Sequence, residues 1–328
     1  MKNLFIGIDI SKDVFDYCAL DQKNKVIFRG QNSNTEGGIK NFRQRIKRYR
    51  SYAPWICMEH TGYYGYLLAY EFSRFGFDFS MVNPLDLKLS LGMVRGKNDA
   101  VDAYRIASYA LSNKHKLKVY KLPAKELREL KLLMKTRERL SKALVQLKNG
   151  VKGMRIAAQT INIEALIKKN DLLIKKIETQ IKAIDKKMLE LIKSSPKLYE
   201  TYKQITSVIG VGPVTATKTI IESGNFKKIT KGRKFCCHAG LAPFEYKSGS
   251  SVKEKTKTSP LCNKSLKGVL HKAACSAIQH DPQLKKYYKR KRDEGKHKLS
   301  VVNAVANKLV MRIFAVAKRD TPYVKLAA

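Results

Sequence analysis

Two stretches near the middle of the chain repeat apolar residues in alternating steps of three and four, and that pattern constrains the fold more than any other feature. The first runs through Leu130, Leu133, Leu140, Leu144, Leu147, Val151 and Met154, with Arg137 occupying one seam position. The second runs through Ile167, Asn170, Ile174, Ile177, Ile181, Ile184, Met188 and Leu191. Such a spacing keeps one stripe of each helix facing a partner, so the two runs predict a coiled-coil helical hairpin. Gly150 and Gly153 weaken the first helix near its end, the stretch from Ala157 to Asn162 supplies the turn, and Ser194, Ser195 and Pro196 close the second helix. The hairpin, residues 119–196, therefore separates an N-terminal part, 1–118, from a C-terminal part, 197–328.

Residues 1–118 read as α/β. Leu4–Ile10, VIFRG, APWICME and FDFSMVNP are apolar or β-branched runs of strand length, and GYLLAYEFSRFG alternates with them as a helix. This order predicts one sheet covered by helices. Residues 197–328 read as basic and mainly α, interrupted by an irregular Ser/Gly/Lys segment from Lys247 to Pro260. The six cysteines, Cys18, Cys57, Cys236, Cys237, Cys262 and Cys275, form no C-x-x-C pair and read as reduced, buried small hydrophobes of a cytoplasmic protein. No uninterrupted apolar stretch approaches membrane-spanning length, so no membrane partner is expected.

Charge narrows the partner. The chain carries 66 Lys and Arg against 27 Asp and Glu, a net charge of +39. Such a surplus repels itself unless a polyanion offsets it, and nucleic acid does so while releasing condensed counterions. A ribosomal or anionic-lipid-binding protein would share the sign of the charge, but not the acidic residues considered next.

Asp9 ends the first predicted strand in FIGIDIS, and Glu59 ends another in WICMEHTG. An acid at the end of an apolar strand is costly unless something binds it. Asp99 and Asp102, in GKNDAVDAYRIA, are three residues apart, so a helix places both on one face. Together the four supply hard oxygen ligands suited to Mg²⁺. A pair of such ions can hold a scissile phosphate between the attacking and leaving oxygens. Taken singly, each acid has a bland alternative as a helix cap, a solvated surface group or a chance strand end.

The segments FIGIDISKDVFDYCAL, MEHTGYYGYLLAYEF, the Asn83-Pro84 strand end and GKNDAVDA resemble the DEDD transposases of the bridge-RNA-guided insertion sequences, the IS110 family. The resemblance runs over nearly the whole chain. It implies an RNase H-like (RuvC-like) N-terminal domain with Asp9, Glu59, Asp99 and Asp102 as ligands of two Mg²⁺ ions, Mn²⁺ being a possible substitute. It also implies a nucleophilic serine in the C-terminal domain. Ser248, in CCHAGLAPFEYKSGSS, occupies that place, with Ser250 and Ser251 as lesser candidates. By itself a Ser-Gly-Ser-Ser run reads as a flexible loop. Further implied are donor and target DNA, a structured noncoding bridge RNA, and a homo-oligomer that is a dimer and then a tetramer on DNA. Asn263 stands where the family pattern suggests glycine, a substitution that a positive-φ turn would tolerate.

Other features bear on nucleic-acid contact. SVIGVGPVTATKTIIE, with Gly210 and Gly212, is similar to a helix-hairpin-helix turn, although a plain tight turn fits equally. Lys285 to Arg292 interleaves basic residues with Tyr287 and Tyr288, a composition able to hold backbone and stack on bases. Lys247 to Lys257 is a second basic run, and Arg43, Arg45, Lys47, Arg48 and Arg50 form a third on a predicted helix. Three competing readings are carried forward. The first is a RuvC-like structure-selective nuclease that uses water, and the second a noncatalytic nucleic-acid-binding scaffold. The third, a DDE transposase, fits poorly because its last acid should stand alone rather than in a DxxD pair.

Overall fold

A computed structural model of the chain describes residues 2–90, 99–248, 252–319 and 321–324, with the backbone alone at 245–248, 252–255 and 257. The chain divides into two compact units, Met1–Leu122 and Pro123–Ala328.

The first unit is built on a five-stranded sheet in the order β3-β2-β1-β4-β5. Its strands are β1 (Lys2–Ile10), β2 (Val14–Leu20), β3 (Val26–Ser33), β4 (Tyr52–Glu59) and β5 (Phe79–Val82). β2 runs antiparallel to β1 and β3, whereas β1, β4 and β5 are parallel. This is one mixed α/β sheet covered by helices, as the order of strands and helices in the sequence predicted. The strand β2 was not separable in the sequence reading, because only Ser11 to Asp13 divide it from β1. Ser11 makes that short connection by donating its backbone N–H to the Val14 carbonyl at 3.0 Å and its hydroxyl to the same oxygen at 2.8 Å.

Alternation along β1 splits the core into two layers. Leu4, Ile6, Ile8 and Ile10 pack with Ile39, Phe42 and Ile46 of α1 (Glu36–Lys47) and with Leu68 and Phe72 of α2 (Gly65–Phe75). The other face meets α4 (Asp99–Ser112), where Phe5 packs with Ile106 and Ala110, and Cys18 and Leu20 with Ala103 and Ala107. A short helix, α3 (Pro84–Ser90), follows β5. Small residues on α4 allow it to lie very close to β1. A Cβ at Gly7 would stand 2.2 Å from the Ala103 carbonyl oxygen and 2.2 Å from the Ala107 nitrogen, so only glycine fits there.

The second unit opens with the hairpin of α5 (Lys125–Ala157) and α6 (Glu164–Lys193). The Arg137 interruption of the seam has a partner across it. Its Nε donates to Asp185 Oδ1 at 2.6 Å and its Nη2 to Oδ2 at 3.2 Å, which lets a polar pair replace an apolar one. Lys148–Glu178 and Arg155–Asp171 tie the helices further along. Leu130, Met134, Met188 and Ile192, near the hairpin base, join the core formed with α7 (Pro196–Thr206), α8 (Pro213–Ser223), α9 (Gly232–His238), α10 (Lys264–His280), α11 (Pro282–Asp293) and α12 (Lys298–Val316).

Three sequence expectations change here. The segment read as irregular forms a β-hairpin, β6 (Pro243–Ser248) with β7 (Val252–Thr258), antiparallel and paired from Pro243–Thr258 to Ser248–Val252 with a register shift between Phe244 and Tyr246. Asn263 does not adopt positive φ. At φ −71° it is the N-cap of α10, its side chain accepting from the Leu266 N–H at 3.0 Å. Of the six free cysteines, Cys18, Cys57 and Cys236 are buried as expected, but Cys237 and Cys275 are exposed. Among the described residues, α12 alone is long and apolar enough to cross a membrane by length and composition; Val305, Leu309 and Ile313 on it are fully buried in the core.

Candidate active site

The parallel strands β1 and β4 both carry an acid at their carboxyl ends, Asp9 as the next-to-last residue of β1 and Glu59 as the last of β4. Cross-strand partners share a face, so the pairing of Gly7 with Cys57 and of Ile8 with Met58 carries forward to set Glu59 beside Asp9 on the α4 side. In sheets of this kind, ligands gather beyond the carboxyl ends of parallel strands. α4 begins with Asp99 and carries Asp102 in the same turn, and its close seat on Gly7 brings that turn over the end of β1. Carboxylate oxygens of Asp9, Asp99 and Asp102 lie within 4.8 Å of one another. Glu59 is outside that close triplet, although its charge is felt at Asp9.

The electrostatics follow from this crowding. Asp9 is pushed up to about 6, first by burial and then by the negative charges of Asp102 and Asp99, with Glu59 adding a smaller push. The Ile10 N–H, 3.0 Å from Asp9 Oδ1, acts the other way. Carboxylates held this close and partly withdrawn from water fit a small, hard divalent cation, which offsets their repulsion and accepts only oxygen ligands readily.

Sequence reasoning missed three contributors. Asp16 is directly opposite Asp9 across the β1–β2 pair, buried to 9% exposure, and accepts from Gln31 Nε2 at 3.0 Å. Its signal, an acid within the apolar alternation of VFDYCAL, was legible only once β2 was recognised. Arg105, one turn beyond Asp102, donates Nη1 to Asp102 Oδ1 at 2.6 Å and so orients that carboxylate. Gly7 carries no chemistry but decides how near α4 can come.

Ser248 is the final residue of β6, roughly 17 Å along the strand from Pro243 at about 3.3 Å per residue. Ser250 and Ser251 lie outside the described residues, as do Asn98 and the Gly96-Lys97 pair before Asp99. Of the basic run Lys247 to Lys257, little beyond the strand backbone is described. Gly210, at φ +89°, sits where a Cβ would come 2.6 Å from the Ala277 side chain, so close packing on α10 explains it. Gly212 is the N-cap of α8 with open space around it. In α1, Arg45 packs over Tyr17 and Phe28 and Arg43 over Phe75, so these two members of the basic stripe are engaged internally. Lys47, Arg48 and Arg50 line a shallow surface concavity with Gln44 and Ser51.

Comparison with known proteins accords with this geometry. The family model for DEDD transposases of IS110 matches residues 6–154, the sheet, α4 and the first hairpin helix. The model for the transposase IS116/IS110/IS902 family matches residues 202–289. The chain is 26% identical over 336 aligned positions to the pilin gene-inverting protein of Moraxella bovis, covering 99% of each chain. It is 23% identical over 277 positions to the transposase for insertion sequence element IS1111A of Coxiella burnetii, covering 76% of this chain and 71% of that one. Among solved structures, T. thermophilus RuvC in complex with a Holliday junction substrate aligns at 12% identity and a TM-score of 0.29, over 36% of this chain and 99% of that one. With one model on the carboxylate-bearing sheet and the other on the helical second unit, the chain belongs to the IS110 family of DEDD transposases.

Proposed function

We propose that the chain excises and inserts its own insertion sequence by cutting and rejoining DNA at a Mg²⁺ site held by Asp9, Glu59, Asp99 and Asp102. The convergence of three carboxylates from β1 and α4 carries this reading. Two bound Mg²⁺ ions, or Mn²⁺ in their place, would supply charge neutralisation at the phosphate and at the attacking and leaving oxygens. Asp9 bridges the strand end and the helix turn, Glu59 flanks it, and Arg105 keeps Asp102 turned toward the cluster.

Ser248 serves as the nucleophile. Its Oγ forms a bond to phosphorus as the scissile P–O bond breaks, the serine proton passes to solvent, and the departing oxygen takes up a proton from solvent to become a hydroxyl. A hydroxyl of a second strand later attacks the phosphoserine, restores the serine and rejoins the DNA. In this division, residues 1–118 hold the metal, the hairpin 119–196 contributes to subunit contact, and 197–328 carries the serine. The working assembly is a homo-oligomer, a dimer and then a tetramer on DNA, in the cytoplasm. A structured noncoding bridge RNA pairs with donor and target DNA, which accounts for sequence choice without a base-reading helix. The full-length likeness to a pilin gene-inverting protein supports inversion as an outcome of the same chemistry.

Incubation of the protein with Mg²⁺, its element's flanking noncoding RNA and labelled DNA spanning the element ends should yield protein-linked DNA on a denaturing gel. The adduct should vanish in Ser248→Ala and in Asp102→Ala. Cleavage without adduct, unchanged by Ser248→Ala, would instead identify a water-using nuclease, and metal-independent binding without cleavage a scaffold.

A further inference from the structure

The basic helix α11 has an anchored face and an outward face that is mainly basic. Its N-cap, Asp281, is 3% exposed; one carboxylate oxygen accepts from the Leu284 N–H at 2.8 Å and the other from Arg312 Nη1 at 2.6 Å. Arg312 also donates Nη2 to Gln283 Oε1 at 2.9 Å, so the first turn of α11 is locked to α12. Leu284 is buried in the core, with Tyr287 and Tyr288 packed half-buried against it. The Tyr287 ring is covered by Lys308 Nζ at 4.6 Å and approached by the Arg290 guanidinium at 5.6 Å. Both tyrosines therefore serve the core, and the sequence expectation that they stack on bases is withdrawn.

The opposite face presents Lys285, Lys286, Lys289 and Arg290 around a shallow, open concavity that also touches Pro282, Asp293 and Glu294. Glu294 is taken up at the helix end by Lys291 and Arg290. Among the described residues, no acid forms an ion pair with Lys285, Lys286 or Lys289, whereas the neighbouring Arg290 and Lys291 both meet Glu294. Lys285, Lys286 and Lys289 fall within about 6 Å of helix axis at 1.5 Å per residue, close enough to repel one another. A polyanion with regularly spaced charges relieves that repulsion.

We propose that the outward face of α11, through Lys285, Lys286 and Lys289, is a sequence-neutral seat for the phosphodiester backbone of duplex DNA. This rests on the reading that the chain works on DNA. The face offers no Asn, Gln or Ser to read base edges and no outward aromatic to hold an unstacked base, which disfavours both direct readout and single strands. A helix anchored at its first turn and presenting outward lysine charges matches a regular duplex backbone.

The test is a fluorescence anisotropy titration of the full chain over a salt series, with an element-end duplex, an unrelated duplex, single-stranded DNA and duplex RNA. In the Lys285→Ala/Lys286→Ala/Lys289→Ala variant the slope of log K against log salt should fall by roughly 2–3, near 0.9 per lost phosphate contact, equally for both DNA duplexes. Lys289→Ala alone should lower it by about 1, which guards against a folding defect in the triple variant. An unchanged slope with DNA binding intact would overturn the seat alone, as would a loss confined to one sequence, to single strands or to RNA. Failure of the wild-type chain to bind any DNA would overturn the seat together with the DNA reading beneath it.

Discussion

Gly7→Ala is expected to cut metal-dependent strand cleavage by about 100-fold or more, although residue 7 carries no functional group. The added methyl would meet the Ala103 carbonyl oxygen and the Ala107 nitrogen at 2.2 Å and the Ile106 carbonyl carbon at 2.8 Å, all of them backbone. A helix backbone does not yield as a side chain tip does, so α4 must move off β1. Overpacking of this kind costs about 1–3 kcal/mol, and a shift near 1 Å in the placement of reacting groups costs about 100-fold in rate. Asp99 and Asp102 travel with α4, whereas Asp9 stays on β1. The variant should therefore retain a folded second unit, melt at a lower temperature in its first unit, and bind Mg²⁺ weakly. Cleavage should fall by about 100-fold or more, measured on the same labelled DNA. Wild-type cleavage in Gly7→Ala would show that α4 and β1 need not be in register for the chemistry.

Asp9→Asn should separate stability from function in the opposite direction. Asp9 is raised from 3.8 to about 6, chiefly by burial and by Asp102 and Asp99. A carboxylate raised on folding favours the folded state below its unfolded value and withdraws that stability as pH climbs through its folded value. Metal-free wild-type protein should accordingly lose stability between about pH 4 and pH 6. The asparagine keeps an oxygen to accept from the Ile10 N–H but carries no charge, so that loss should shrink. In chelator at pH 7.5 the variant should melt a few degrees above wild type, while Mg²⁺ should raise the melting temperature of wild type only. A variant that melts lower than wild type in chelator would contradict the repulsion account. Cleavage by the variant should be lost at every pH, since the proposed metal site loses one of its carboxylates.

How much of this was legible beforehand depended on whether a signal was local and periodic. The hairpin was readable because its seam repeats through α5 and α6, and even its flaw at Arg137 marked a real feature, the pair with Asp185. The acids at Asp9 and Glu59 stood out because each lies at the end of a run that reads as an apolar strand, and Asp99 with Asp102 because their spacing matches one helix turn. What the sequence could not supply was proximity across elements. The antiparallel pairing that sets Asp16 against Asp9, and the Gly7 contact that seats α4, arise from strand pairing and packing, which one-dimensional spacing does not encode. β6 and β7 escaped notice for another reason. VKEKTKT alternates polar with polar, so nothing in its hydrophobicity marks a strand. Asn263 was misjudged because the same residue suits a positive-φ turn and a helix N-cap, and only the Leu266 N–H decides between them.

The central claim is that Asp9, Glu59, Asp99 and Asp102 hold the divalent metal with which this chain cuts DNA. The most direct measurement is strand cleavage of labelled element-end DNA as Mg²⁺ is titrated at fixed protein, RNA and ionic strength, run for wild type and Asp102→Asn side by side with calorimetric metal binding. The account predicts saturable Mg²⁺ dependence in wild type, and loss of both metal heat and cleavage in Asp102→Asn. Cleavage that persists in chelator, or that survives in Asp102→Asn with wild-type metal dependence, would contradict it.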